Sequence, residues 1–121
     1  MNREPLPERR PSETASFTFA TAPGAPVFAY TMTIGFYDED MTRPGEVFLS
    51  AAKSGTDVEV NARDGAIAIS IALQHGVPVD VLAHAMTRNG DGSASGPLGA
   101  ALELLMKGLP ACPAAKSEAA E

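Results

Sequence analysis

The sequence predicts an α+β fold, in which a three-stranded antiparallel meander is followed by three helices packed on one face of the sheet. Two observations predict it. The first half of the chain contains stretches that alternate polar and apolar residues with a period of two, as half-buried strands do. The second half repeats apolar residues at steps of three and four, as amphipathic helices do. Strands followed by helices favour a sheet that is covered on one side.

Three strands are predicted, and short turns separate them. We place the first at residues 14–20 and the second at 27–37, with a Pro- and Gly-containing turn between them. The third is a short buried strand at 47–49. The second strand is rich in β-branched and aromatic residues and is predicted to be the centre of the sheet. Its helix-facing side is predicted to carry Phe28, Tyr30, Met32 and Ile34.

The first helix is predicted to begin at Thr56 and to end near Gly76 and Pro78. Thr56 and Glu59 fit a capping box, in which each side chain satisfies a backbone N–H of the first turn. The helix should be mostly buried, because a long apolar stripe is widened by three further apolar residues. These three are Val60, Ile67 and Ile71.

Two shorter helices are predicted after it. One starts at 77–80 and ends before the turn at 89–92. The other runs from Pro97 to Lys107, and Pro97 suits a first helical position because its missing N–H would be unpaired there. The predicted apolar stripe of the second helix is Val81, Leu82, Ala85 and Met86. That of the third is Leu98, Ala101, Leu102, Leu105 and Met106.

Length and composition limit the domain count and the class of partner. A chain of 121 residues is predicted to form one domain at 14–108, with flexible tails at 1–13 and 109–121. The net charge of −6 argues against non-specific nucleic-acid binding, which needs clustered Lys and Arg. No apolar run is long enough to span a membrane, so a cytoplasmic location is expected.

The first candidate ligand site is the turn Lys53-Ser54-Gly55-Thr56, at the predicted start of the first helix. Backbone N–H groups at helix starts bind anions, so a phosphate or a nucleotide-like anion is the expected ligand. A purely structural turn is the alternative. The loop from Ser93 to Pro97, which includes Ser95, has the same predicted geometry at the start of the third helix.

Arg63 and Asp64 form a second candidate, because both lie in a helix whose other residues are largely apolar. One interpretation is an intramolecular salt bridge from Arg63 to Glu46 or Glu59. The other is that Arg63 anchors an anionic ligand beside Lys53.

Other polar groups indicate neither a metal site nor a catalytic site. The acidic corner Asp38-Glu39-Asp40 is interpreted as a solvated hairpin tip, since no His, Cys or EF-hand spacing accompanies it. His75 and His84 fall in different predicted helices, and two His without Cys partners make a poor zinc site. Cys112 is the single cysteine and lies in the predicted C-terminal tail. No cofactor is expected, and no catalytic residue is assigned.

The chain resembles the TSCPD domain family over roughly residues 9–107. The family occurs as a C-terminal module of adenosylcobalamin-dependent ribonucleotide reductases and as small stand-alone proteins. The motifs that carry the resemblance are Arg10-Pro11 with Thr14, Tyr30-Thr31-Met32-Thr33, Glu46-Val47-Phe48-Leu49, Lys53-Ser54-Gly55, and the helix ending 68–73 with Gly76-Val77-Pro78.

The family's name motif, Thr-Ser-Cys-Pro-Asp, falls here on Ala94-Ser95-Gly96-Pro97-Leu98, so its Cys and its Asp are missing. Ribonucleotide reduction needs a thiyl radical and a redox-active cysteine pair, and one Cys cannot supply both. The resemblance therefore implies a stand-alone accessory or regulatory module, which binds a ribonucleotide reductase subunit or a nucleotide-like anion and does not catalyse reduction.

Two alternatives to this function follow from the residues. One is a small enzyme or ligand-binding protein that acts on a phosphorylated metabolite through Lys53, Arg63 and Asp64. The other is a structural homodimerisation domain, because a three-stranded sheet with exposed edges can pair across a two-fold axis.

Overall fold

The computed structural model describes residues 2–20, 23–51 and 56–108. Within these ranges, the sheet consists of β1 (Ser12–Phe19), β2 (Phe28–Phe36) and β3 (Pro44–Ala51), antiparallel and in the order β1-β2-β3. The helices that follow are α1 (Asp57–Gln74), α2 (Val79–Ala85) and α3 (Pro97–Lys107). The predicted α+β fold is confirmed.

The strand bounds differ from the prediction at both edges of the sheet. β1 begins at Ser12 and not at residue 14, because Ser12 and Glu13 continue the ladder opposite Gly35 and Ile34. β3 is longer than the predicted run, since the ladder with β2 extends from Pro44 to Ala51.

β2 supplies the centre of the core, as predicted. Tyr30, Met32 and Ile34 are buried on the helix-covered face, together with Val47 and Leu49 of β3. The expectation for β3 as a wholly buried strand is wrong at Phe48, which is 54% exposed. Successive residues of a strand point to opposite faces, and helices cover only one of them here.

α1 is less buried than expected. Ala62, Ala66, Ile69 and Leu73 face the core, whereas the three widening residues Val60, Ile67 and Ile71 are exposed. A helix lying against a sheet buries a single stripe, and these three residues fall outside it. No helix in the described part of the chain is long and apolar enough to cross a membrane.

The two shorter helices also bury fewer residues than their predicted apolar stripes contain. In α2 the buried residue is Ala83, which the predicted stripe omitted, and Val81 is exposed. α3 has the predicted bounds, and Ala101 and Leu102 are buried, but Met106 at its end is exposed.

The segment 2–11 lies against one end of the domain. Arg3 Nε donates to Gln74 Oε1 at 2.5 Å, and the Glu4 N–H donates to the Gln74 carbonyl at 2.8 Å. Arg10 donates twice to the Glu46 carboxylate, at 2.6 and 3.1 Å. The segment 2–11 is thus bonded to the last turn of α1 and to β3. The flexibility expected of residues 1–13 stays a prediction. The predicted tail at 109–121 lies outside the described residues.

Candidate functional site

The start of α1 is built around Thr56. Its side chain accepts a hydrogen bond from the Glu59 N–H at 3.2 Å, which is one half of the predicted capping box. The neighbouring candidates Lys53, Ser54 and Gly55 lie outside the described residues. An anion site at this turn therefore stays a prediction.

Arg63 makes the intramolecular salt bridge that the sequence left as one of two interpretations. Its guanidinium lies 2.5 Å from a carboxylate oxygen of Glu59, and Glu59 is only 1% exposed. The other named partner, Glu46, is bonded to Arg10. Arg63 and Asp64 both lie on the exposed side of α1, so anion anchoring by this pair stays a prediction.

Ser95 lies in the loop before α3 and is fixed by the chain itself. Its hydroxyl donates to Asn89 Oδ1 at 2.8 Å, and its N–H donates to the Thr87 carbonyl at 3.0 Å. The loop is also held by Arg88, which bonds the Ala83 carbonyl at 2.9 Å and the Glu103 carboxylate at 2.5 Å. The segment that corresponds to the family's name motif is thus held in front of α3 by hydrogen bonds within the chain.

The start of α3 differs from that of α1 in its electrostatics. Gly96 is the N-cap of α3 and makes no side-chain capping bond, and the first turn carries no acidic residue. The first turn of α1, in contrast, carries Asp57 and Glu59. The positive end of α3 is therefore the less neutralised of the two.

A cavity of about 290 Å³ lies where the first turns of these two helices meet the ends of β1 and β2. We call it the apolar cavity. Its lining includes Phe19, Phe28, Tyr30, Val58, Asn61 and Leu98. The predicted site residues that the structure describes, Thr56, Arg63, Asp64 and Ser95, are not among its lining residues.

Tyr30 is the buried polar residue of this cavity. The residue is 3% exposed, and its ring stacks on Phe17 with centroids 5.5 Å apart. Within the described residues, the Tyr30 hydroxyl has no hydrogen-bond partner, although buried Tyr hydroxyls usually find one. Burial raises the pKa of Tyr30 above its ordinary value, so the hydroxyl is protonated and able to donate at neutral pH.

Replacing Tyr30 by Phe is expected to raise the free energy of unfolding by about 1 kcal/mol. The change keeps the ring and removes a buried hydroxyl that no group among the described residues satisfies, and an unsatisfied buried group costs about 1–3 kcal/mol. Urea denaturation of both proteins measures the difference. Tyr37→Phe is the matched control, because the Tyr37 hydroxyl donates to the Glu4 carbonyl at 2.6 Å. A loss of stability in Tyr30→Phe as large as that in Tyr37→Phe would contradict the prediction.

The acidic corner and the histidines have local partners. The Asp38 carboxylate accepts a hydrogen bond from Arg43 at 2.8 Å, which holds the pKa of Asp38 below its usual range. The rings of His75 and His84 each form a hydrogen bond with the backbone carbonyl four residues earlier. Among the residues that the structure describes, no group of three or more His, Cys, Asp or Glu could hold a metal ion.

The comparison with protein families agrees with the motifs quoted above. The TSCPD domain profile matches residues 4–116, which is nearly the whole chain. The chain belongs to the TSCPD domain family.

The curated relatives are vitamin B12-dependent ribonucleotide reductases. The one from Rhodopirellula baltica is 36% identical over 80 residues, 66% of this chain and 7% of that protein. The one from Streptantibioticus cattleyicolor is 38% identical over 78 residues, 64% of this chain and 12% of that protein. The match therefore spans about a tenth or less of each relative's length. No solved structure matches the chain significantly.

Proposed function

We propose that this chain is a non-catalytic accessory module of ribonucleotide reduction, which docks on a ribonucleotide reductase through the uncovered face of its sheet. The observation that carries the proposal is the composition of that face. We call it the open face, and its central positions are Thr14, Ser16, Thr31, Thr33, Phe48 and Ser50. None of these six is charged, in a chain with 20% charged residues. Glu46 lies opposite Gly35 at one end of the same face, where it pairs with Arg10.

Such a surface is suited to a protein partner. Interface centres are depleted in charged residues, and an aromatic residue often provides the anchor. Phe48 lies in the ladder opposite Thr33, which in turn lies opposite Thr14, so the ring stands among hydroxyl side chains. Two of these hydroxyls already pair, Thr14 Oγ1 with Thr33 Oγ1 at 3.0 Å, which lowers the cost of removing them from water.

The size of the open face supports a weak contact. Three strands about 4.8 Å apart, each about eight residues long at about 3.3 Å per residue, present a flat area of roughly 380 Å². A stable complex buries about 800 Å² per partner, so this face alone is too small for a permanent homodimer. In the relatives the corresponding segment shares a chain with the rest of the reductase, so its local concentration is high and a weak contact would be sufficient.

We propose a non-catalytic module because the chain has a single cysteine. Cys112 is the single cysteine, and a reductase needs a redox pair besides the thiyl radical. The module would therefore act by binding, and the reaction would stay with the partner.

The proposal is tested by measuring binding of the chain to the B12-dependent ribonucleotide reductase of the organism from which the chain comes. We expect a Kd in the micromolar range by calorimetry, and we expect Phe48→Glu to weaken binding at least tenfold because it places a charge at the centre of the contact. Ile67→Glu is the matched control, since Ile67 is a similarly exposed apolar residue on α1 and lies away from the open face. This variant should bind as the unchanged chain does.

Two results would overturn the proposal. One is no binding of the unchanged chain to the reductase at protein concentrations of hundreds of micromolar. The other is a stable dimer in light scattering that Phe48→Glu dissociates, because the occupant of the open face would then be a second copy of the chain.

A further inference from the structure

We propose that the apolar cavity binds the base of a purine nucleotide, with the nucleotide's phosphate at the start of α3. The docking proposal concerns the open face, whereas Tyr30 and the cavity lie on the helix-covered side of the sheet. Each proposal can therefore fail without the other.

The shape and lining of the cavity favour a flat apolar ring. Phe19 and Phe28 come from the strands, and Val58 and Leu98 come from the two helices, so the walls are apolar on both sides. A volume of about 290 Å³ is at the lower limit of ligand pockets, which range from about 300 to 1,000 Å³. This space is sufficient for a base, and the sugar and phosphate would remain outside.

Two polar groups distinguish this cavity from a plain hydrophobic gap. The Tyr30 hydroxyl is buried, protonated and without a partner in the described part of the chain, so a ligand that accepts its hydrogen bond would satisfy it. Asn61 is exposed on α1 at the cavity, and its amide likewise makes no hydrogen bond within the described ranges.

The Tyr30 hydroxyl and the Asn61 amide together favour a purine base over an unsubstituted aromatic ring as the ligand. An Asn amide offers one acceptor and two donors, and it matches the acceptor and donor that adenine presents at N7 and N6. The Tyr30 hydroxyl can then donate to a ring nitrogen elsewhere on the base. A benzene-like ring would satisfy neither group.

The phosphate is placed at α3 because of the charges around the two helix starts. Pro97 and Leu98 border the cavity, and the first-turn N–H groups of Leu98 and Gly99 have no partner within α3. No acidic residue stands in that turn, whereas Asp57 and Glu59 stand in the first turn of α1. An anion is favoured at the start of α3.

Titration of the purified chain with adenosine monophosphate tests the site. The expected result is saturable shifts of the backbone amide NMR signals of Asn61, Leu98 and Gly99, with adenosine binding more weakly and inorganic phosphate more weakly still. Asn61→Ala and Tyr30→Phe are each expected to weaken binding of the nucleotide about fivefold, which corresponds to one hydrogen bond.

A pair of matched variants tests the position of the base. Val58→Phe fills the cavity and should abolish binding of the nucleotide, whereas Val60→Phe places the same ring on the exposed side of the same helix and should leave binding unchanged. Circular dichroism of each variant confirms that it is folded. Asn61→Ala replaces an exposed side chain, so it keeps the test informative if a cavity variant fails to fold.

Three results would overturn the proposal. The first is no saturable shift with adenosine monophosphate up to millimolar concentration. The second is phosphate binding as tightly as the nucleotide, which would leave a helix-start contact and no base site. The third is equal binding of uridine monophosphate, which would exclude a purine-selective cavity.

Discussion

Leu49→Ala is expected to lower the free energy of unfolding by about 3 kcal/mol. Leu49 is 2% exposed and lies in the core opposite Met32 on the adjacent strand. Truncating a buried Leu removes its transfer free energy and leaves a cavity, which together cost about 2–5 kcal/mol. A small domain has about 5–15 kcal/mol in total, so the variant should unfold at a much lower urea concentration.

The neighbouring residue Phe48 supplies the control. Phe48→Ala removes a larger side chain one position away, but it does so on the uncovered face of β3. We expect a loss below about 1 kcal/mol, because the ring is already partly in water. Equal midpoints for the two variants in urea denaturation would mean that the two faces of β3 are not buried as described.

Arg10→Ala is expected to destabilise the domain by about 2 kcal/mol. Arg10 makes two bonds to the Glu46 carboxylate, whose side chain is 13% exposed, and removing the cation leaves that carboxylate largely buried and unpaired. Breaking a fully buried pair costs about 3–5 kcal/mol, and the partial exposure of Arg10 reduces the expected figure. The bond to Glu46 also raises the pKa of Arg10 above its ordinary value, so the guanidinium keeps its charge.

Arg9→Ala is the matched control for this prediction. It removes the same charge one residue earlier, and Arg9 is exposed. Arg10→Lys separates charge from geometry, because a lysine keeps the charge but cannot make the two-bond contact. If Arg9→Ala and Arg10→Ala shift the denaturation midpoint equally, the effect comes from net charge and not from the ion pair.

The bounds of α3 and the buried side of β2 could be predicted because local signals fix them. Pro97 starts α3, Gly108 follows its last residue, and the alternation around Met32 is regular. The exposure of Ile67 and Ile71 could not be predicted in this way. Their spacing is compatible with a buried helix, and only the width of the sheet beneath α1 decides how many stripes are covered.

The apolar cavity was beyond sequence reasoning for a different reason. Phe19, Tyr30, Asn61 and Leu98 are far apart along the chain, and no spacing relates them. Tyr30 was correctly predicted to face the helices, but its lack of a hydrogen-bond partner among residues 2–20, 23–51 and 56–108 depends on the surrounding elements. Glu59 was predicted to take part in the capping box of α1, and its burial likewise depends on how that helix packs.

Gln74 gives α1 a second function besides packing. Its amide donates to the Gly45 carbonyl at 2.9 Å and accepts from Arg3, so the last turn of α1 is tied to both β3 and the segment 2–11. Val58 in the first turn of the same helix borders the apolar cavity, about 24 Å from Gln74 at about 1.5 Å per residue. α1 thus links two separate parts of the molecule, because its last turn contacts the N-terminal segment and its first turn forms part of a wall of the cavity.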